Sequence, residues 1–485
     1  MAITLIAATI TGFTAAIGTA AVFSWAAFAI SAGFSLVARA LTPKPDLGAQ
    51  MGGQSVMTRD AAQSRKIIYG RARVGANVVY LESTGDDNKY LWLVGAVAAH
   101  EIDGYESVWF GDKKVWDSSF GYYNNWGSRV EIRFFKGDQT VADNATDSTS
   151  ISPRTDNLVN ASNNKWTNNH KLLDTAYMVV RLEHDVDKFS SGLPNISTII
   201  RGKKVYDPDP NVNATAWSQN PALCIYDYLL DTKYGLSETA ANILTASVTA
   251  AKIICDQSIT LEDNTTQARY TINGVVDTGA TIKSNIELMI GSMAGRLIYS
   301  SGQFEIHAGS YVAPAFTVDE SQIVGDITVQ TKQSRRSAFN GVKGVFLSKE
   351  DNYILADYPA QISSSFATQD GDPIYLDMAL PFTTNHVRAQ RLAKLALFRS
   401  RQQEAITIPC NLSALRFKIG DNINVTNARL GYDEKVFEVV GYSMGFSAGG
   451  TMGVDVQAIE TAASIWDWTA SDEEVFLGGG EVALY

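Results

Sequence analysis

Cysteine is scarce in this sequence of 485 residues, and its scarcity excludes two kinds of stabilisation. The 3 cysteines, Cys224, Cys255 and Cys410, are far apart in the chain, and none lies in a Cys-x-x-Cys pair. An odd number of isolated cysteines builds neither a disulfide framework nor a structural zinc site. We therefore expect buried free thiols in a chain that is synthesised in a reducing cytoplasm.

Positive charge is also in short supply. The chain has 40 Lys and Arg against 51 Asp and Glu, a net charge of -11. A protein that grips a nucleic-acid backbone needs clustered cations to neutralise phosphates, so this balance excludes a nucleic-acid reader. A helix predicted over 384–401 has a basic face, made of Arg388, Arg391, Lys394, Arg399 and Arg401. We favour a solvated or salt-bridged helix face there, and contact with DNA or an acidic partner is the alternative.

Motifs that carry chemistry are missing as well. The sequence has no Walker loop for phosphate. Two carboxylate pairs, Glu101 with Asp103 and Asp372 with Asp377, look like ordinary turn and strand-edge acids rather than a glycosidase pair. The 5 histidines lack the spacing of metal ligands: His100, His170, His184, His307 and His386. We predict that the protein is not an enzyme and holds no cofactor and no metal ion.

The N-terminal segment lacks charge altogether. No residue from Met1 to Ala38 has a charged side chain, and residues 20–38 are almost wholly apolar, about the length that spans a bilayer. The first positive residues, Arg39 and Lys44, follow the apolar run, which argues against a secretory signal. We predict a hydrophobic helical segment over 1–45, either buried in a protein core or active at a membrane. Its large apolar residues are Phe23, Trp25, Phe28, Ile30, Phe34 and Leu36.

The remainder of the sequence divides into four parts. Alternating apolar residues predict a β-domain over 46–210, with a polar insertion around 137–170. Helical periodicity and caps such as Asn220 before Pro221 predict an α+β domain over 211–318. Strand patterns return over 319–465, where the helix at 384–401 interrupts them. The acidic tail over 466–485 is expected to become ordered when it binds a partner. The fold class is therefore multidomain, β-rich α+β.

The segment from 217 to 236 carries a more specific pattern. It combines Asn-Pro-Ala at a helix start with Tyr-Gly-Leu after the helix, and its signature residues are Trp217, Asn220, Pro221, Ala222, Tyr234, Gly235 and Leu236. Three further segments agree in order: 69–75, 286–306, and 335–346 followed by 357–359. Over about residues 55–460 the sequence resembles the tail tip hub proteins of long-tailed bacteriophages. That group includes lambda-type host-specificity proteins and the hubs of gene transfer agents, and it is similar to contractile-tail baseplate hubs.

The resemblance implies a fold and a function. It implies two small hub-type β-barrels with α+β domains between them, assembled as a trimeric ring that closes the distal end of the tail tube. The ring would open for DNA ejection on host attachment, and DNA would pass through its lumen without specific binding. Implied partners are the distal tail protein, the tape measure protein, and separate tip or fibre proteins that choose the receptor. Three copies of the apolar N-terminus would plug the lumen or contact the host outer membrane.

Two alternatives from other classes remain open at this point. A tail-associated cell-wall or capsule hydrolase would need a cleft with two carboxylates of different pKa. A membrane-anchored bacterial adhesin would be a monomer that partitions into membranes, with Arg39 and Lys44 on the cytoplasmic side.

Overall fold

The computed structural model describes residues 21–24, 51, 53–123, 126–143, 157–163, 165–190, 192–300, 302–332, 339–446, 452–476 and 478. Most of the predicted N-terminal helical segment therefore lies outside the described residues. Where it is described, the structure has a strand instead of a helix, Ala21–Ser24 (β1), whose backbone pairs with residues 296–299. Among the described helices, none has the length and apolar character that a bilayer span requires.

Strands dominate residues 66–217. They are β2 Lys66–Tyr69, β3 Arg71–Gly75, β4 Asn77–Thr84, β5 Tyr90–Ala98, β6 Gly104–Phe110, β7 Lys113–Asp117, β8 Gly121–Tyr122, β9 Val130–Phe135, β10 Ala176–Glu183, β11 Ile196–Arg201, β12 Lys204–Asp207 and β13 Ala214–Trp217. One sheet has the order β4-β5-β10-β9 and another the order β3-β11-β6-β7-β8. Their facing side chains, Val74, Val108 and Met178 among them, share one core.

The sequence predicted a closed barrel in this region, and the described strand pairings give two open sheets instead. Ala76 alone separates β3 from β4, so the chain passes directly from one sheet into the other at a corner. The described part of the insertion contains a short helix, α1 Leu158–Ala161. Its Leu158, together with Trp166, packs on the outer face of the four-stranded sheet, against Trp92 and Tyr177.

The middle of the chain is mixed. Its helices are α2 Pro221–Leu230, α3 Thr245–Asp256 and α4 Ile282–Gly291, and its strands are β14 Ser258–Thr260, β15 Thr266–Ala268, β16 Gly274–Asp277, β17 Arg296–Ser300 and β18 Gln303–His307. The helices begin where the sequence supplies caps: the side chain of Asn220 accepts a hydrogen bond from Ala222 N, and that of Thr281 from Ser284 N. Strand β16 pairs with β2, which joins this region to the first β-domain.

The C-terminal third contains two sheets. Its elements are β19 Phe316–Val318, β20 Thr328–Gln330, β21 Gly341–Ser348, β22 Ile354–Ile362, α5 Ser364–Asp370, β23 Tyr375–Asp377, α6 His386–Ser400, β24 Ala405–Cys410, β25 Asn422–Asn427, β26 Tyr432–Phe446 and β27 Met452–Glu460. The six-stranded sheet β19-β25-β26-β27-β24-β20 curls around its own core, which includes Val318, Ile408 and Phe437. Its edge strands β19 and β20 are not paired with each other in the described structure, so a closed barrel is not found here either.

The largest hydrophobic core unites segments that are distant in the chain. Leu223 and Ile225 of α2 lie in it beside Met289 of α4 and beside Leu392 and Ala396 of α6. Leu392 and Ala396 are one turn apart on the apolar side of α6. This side packs on β21 and β22 of the predicted 319–465 domain, and the same core continues to the helices of the middle region.

The start of the predicted tail is packed in the isolated chain. Phe476 stacks on His386, with ring centroids 5.0 Å apart and planes at 12°. The amide of Gln390 donates to Glu474 O at 2.9 Å and accepts from Glu474 N at 2.8 Å. Residues near 474–476 therefore have packing partners within the chain, and ordering of the tail on a partner stays a prediction.

Candidate functional site

Strand β2 lies between two hydrophobic cores. Ile67 and Tyr69 are buried in the core of the helical region, and Ile68, between them, is buried in the core of the first β-domain. Successive side chains of a strand point to opposite faces. Because both faces of β2 are covered, every residue of its short central run is apolar. The signature segment 217–236 contacts β2 and the turn that follows it. We call this contact region the joint.

Trp217 forms one half of the joint. Its indole Nε1 donates to Gly70 O at 3.0 Å, and the guanidinium groups of Arg71 and Arg201 lie over its ring at 5.6 and 5.7 Å. Gly70 has φ +63, and a Cβ there would lie 2.0 Å from Ile272 O. A glycine is therefore required at position 70, both for its backbone conformation and for the close approach of the neighbouring chain.

Asn220 holds two helices together. Its side-chain oxygen caps α2, and its Nδ2 donates to Lys252 O at 3.1 Å and to Asp256 Oδ1 at 2.9 Å, near the end of α3. Pro221 and Ala222 follow as the buried first turn of α2. Proline is tolerated at the first helical position because its missing N–H would have no partner inside the helix.

A buried polar cluster completes the joint. Tyr69 Oη donates to Asp227 Oδ2 at 2.6 Å, and Lys203 Nζ bridges Asp227 at 2.7 Å and Asp231 at 2.8 Å. Burial lowers the pKa of Lys203, but the two carboxylates outweigh it and raise the pKa above its ordinary value. Burial and the Asp227 carboxylate raise the pKa of Tyr69 well above 10.0. These hydrogen bonds and ion pairs therefore connect the first β-domain to α2 and the turn that follows it.

The Tyr-Gly-Leu end of the signature closes the turn after α2. Asp231 accepts from Lys233 N and Tyr234 N at 2.9 Å each, and Leu236 N donates back to Tyr228 O at 3.2 Å. A Cβ at Gly235 would lie 1.9 Å from Tyr228 O, so a side chain is sterically excluded at this position. The seven signature residues therefore lie at the two ends of α2, and their role as a structural signature stays a prediction.

The joint offers no reaction chemistry. Tyr69 is 0% exposed, and in the described part of the chain no three His, Cys, Asp or Glu side chains converge as metal ligands would. Of the carboxylates considered for a hydrolase, Glu101 pairs with Lys204, Asp103 pairs with Arg201 at 2.8 Å, and the exposed Asp377 lies 3.9 Å from Lys343. The thiols Cys224 and Cys255 are buried in the same core as α2, and burial raises the pKa of both.

The basic face of α6 is directed into the protein. Its cations pair with carboxylates or backbone carbonyls: Arg388 with Ala268 O, Arg391 with Arg269 O, Lys394 with Asp472, Arg399 with Glu438, and Arg401 with Asp370. Burial lowers the pKa of Arg388 and of Arg399 to about 10. Three of the five cations thus form salt bridges, in agreement with the solvated or salt-bridged face favoured from the sequence, and Arg388 and Arg391 donate to backbone carbonyls.

Of the six apolar N-terminal residues, only Phe23 has a described backbone, in β1 opposite Leu297. The others, Trp25, Phe28, Ile30, Phe34 and Leu36, lie outside the described residues. The pairing of Tyr69 and Lys203 with α2 was missed from the sequence. The partners are 158 and 24 positions apart, and no local pattern links them.

Comparison with known proteins gives relatives in phage tails. No protein-family model matches the sequence. The chain is 24% identical over 445 residues to the baseplate hub protein pb3 of Escherichia phage T5, which covers 78% of this chain and 46% of that protein. It is 22% identical over 284 residues to the tip attachment protein J of Escherichia phage SECphi27, which covers 54% of this chain and 24% of that protein. The chain thus spans less than half the length of either relative.

The fold has a counterpart as well. A chain in the virion of a native gene transfer agent particle superposes with a TM-score of 0.62, covering 93% of this chain and 98% of that one at 11% identity. At that identity the match establishes a shared fold. Together with the two relatives, it confirms the resemblance to tail hub and tip proteins that the signature segment indicated.

Proposed function

We propose that this chain, a relative of phage baseplate hub and tip attachment proteins, is a structural hub protein at the distal end of a phage tail. It acts as a structural protein and not as an enzyme. The observation that carries the proposal is sequence similarity to pb3 across 78% of the chain, with a shared fold across 93%. The protein is made in the host cytoplasm and works in the virion, beside the distal tail, tape measure and fibre proteins.

The hub assembles as a homotrimeric ring in this proposal. The two β-domains occupy the places of the two hub barrels, and the joint holds the first of them rigidly on the helical region. Large apolar side chains that are exposed in the single chain, such as Phe120 at 69% and Val186 at 71%, suit subunit or partner contacts.

The ring closes the tail tube and opens for DNA ejection on host attachment. The net charge of -11 and the internal pairing of the α6 cations support passage of DNA without a specific grip. The apolar residues of segment 1–45 plug the lumen, or contact the host outer membrane once the ring opens.

The test is the mass and shape of the purified protein in detergent, by light scattering and negative-stain microscopy. A ring of about 158 kDa, three times 52.6 kDa, is expected. Protein that lacks residues 1–41 should keep this mass and show a more open centre. A stable 52.6 kDa monomer at all concentrations would contradict the trimer. Clearing of peptidoglycan in a zymogram would contradict the structural role.

A further inference from the structure

A cavity of about 230 Å³ lies between the basic side of α6, the end of the β14–β15 hairpin and residues 465–468. Tyr270, Leu395 and Ile465 form its apolar wall. Its polar lining is mainly basic, which is unusual for a chain with an excess of acidic residues. Arg269, Arg391 and Lys394 line the cavity, and Asp467 is the only carboxylate among its lining residues.

Arg391 is the central group of this cavity. It is 5% exposed, and its Nη2 donates to Arg269 O. Its Nε and Nη1 have no acceptor among the described residues. A buried N–H without an acceptor destabilises a fold, and more so when the donor is charged. Burial, together with the nearby cations Arg388 and Arg269, lowers the pKa of Arg391 to about 9.

A second unpaired donor lies beside it. The Nε1 of Trp468 is buried and has no acceptor in the described structure, and the Arg391 guanidinium lies 5.9 Å from the centre of that ring. Of the other two cations, one pairs with a carboxylate and one donates to a neutral group. Lys394 pairs with Asp472 at 2.8 Å, and Arg269 donates to the neutral amide of Gln257 at 2.9 Å. The cavity thus has spare donors on Arg391 and Trp468, and the carboxylates near its three cations are those of Asp467, Asp472 and Glu473.

We propose that this cavity binds an oxyanion, a carboxylate or phosphate group, held by Arg391 and Trp468 and neutralised by Arg269 and Lys394. Guanidinium and indole groups have donors and no acceptors, so their partner must supply acceptor oxygens. Water offers acceptor oxygens without a negative charge, so it is a weaker hydrogen-bond partner for a guanidinium group than an oxyanion is. The volume is several times the about 30 Å³ that one water occupies, so the anion arrives on a short organic stem or as a small free molecule.

The test is calorimetric titration of the full chain with three probes at equal ionic strength: inorganic phosphate, citrate and N-acetylglutamate α-amide. At least one should bind with a dissociation constant below about 1 mM. Arg391→Gln should weaken that probe about tenfold or more, because a charged donor is lost. Trp468→Phe keeps the ring and loses one neutral donor, so a loss of about threefold to tenfold is expected. Lys343→Gln, at a half-exposed site on β21, is the matched control and should change nothing.

The order of affinities identifies the source of the anion. Tighter binding of phosphate or citrate points to a free small anion, and tighter binding of the glutamate probe points to an acidic side chain of a neighbouring polypeptide. Two results would overturn the proposal: no heat from any probe at about 10 mM, or an unchanged affinity in Trp468→Phe. Since Trp468→Phe removes a single hydrogen-bond donor, it decides the question even if Arg391→Gln fails to fold.

Discussion

Asn220 performs two functions at the joint, and substitutions can separate them. Its oxygen caps α2, and its Nδ2 donates to Lys252 O and Asp256 Oδ1 of α3. Asn220→Ser keeps a capping oxygen and loses the bridge to α3. Asn220→Asp also keeps a good cap, but it places a carboxylate where an amide faced Asp256 at 2.9 Å. Asn220→Ala loses both the cap and the bridge.

The expected magnitudes follow from these contacts. An N-cap contributes about 1 kcal/mol. The bridge is buried, since Asn220 is 5% exposed, and its loss costs about 1–2 kcal/mol. Asn220→Ala should therefore lower the free energy of unfolding by about 2–3 kcal/mol. Asn220→Asp should be no more stable than Asn220→Ser, because repulsion from Asp256 offsets the better cap.

The assay is urea unfolding followed by circular dichroism. The free energies of unfolding are compared between variants whose dependence on urea concentration has the same slope. Asn385 supplies the matched control: it caps α6 through Arg388 N, and the structure shows no second bond from its side chain. Asn385→Asp should be neutral or slightly stabilising, since an acid is favoured at a helix N-terminus. If Asn220→Asp is as stable as the wild type, the bridging role of Asn220 is refuted.

Two further predictions concern buried charge. Glu438 is 7% exposed and pairs with Arg296 and Arg399. Glu438→Gln should therefore lower the free energy of unfolding by about 3–5 kcal/mol. As a control, Glu320→Gln at an exposed site should leave the urea midpoint unchanged. His100 accepts from Ile68 N at 2.9 Å, and burial lowers its pKa from 6.5 to about 4. The contribution of neutral His100 to the free energy of unfolding is therefore complete above pH 6.5, and it is lost as the pH falls through 4. His100→Gln should flatten the decline of the melting temperature over that range, and an unchanged decline would contradict this role.

Much of the local structure was predictable from local chemistry. Asn220 before Pro221 predicted the start of α2. The signature residues identified the class of protein before any contact was known, because their spacing depends on one helix and its two ends.

The sheet closure and the polar contacts were not predictable in this way. A closed barrel was expected, but alternation along a strand gives the same pattern in a curled open sheet, and only the pairing of edge strands distinguishes the two. The basic face of α6 gave no indication of which cations would find carboxylates and which, like Arg391, would keep free donors.

The start of α2, the buried thiols and the family resemblance could be predicted from the sequence alone. Helix caps and hydrophobic periodicity act within a few residues, so they can be recognised from neighbouring positions. The folded structure was needed to show that Tyr69 meets Asp227, that α2, α4 and α6 share one core, and that Arg391 and Trp468 line one cavity. Those contacts join positions tens to hundreds of residues apart, so they depend on how whole domains pack rather than on local conformational preference.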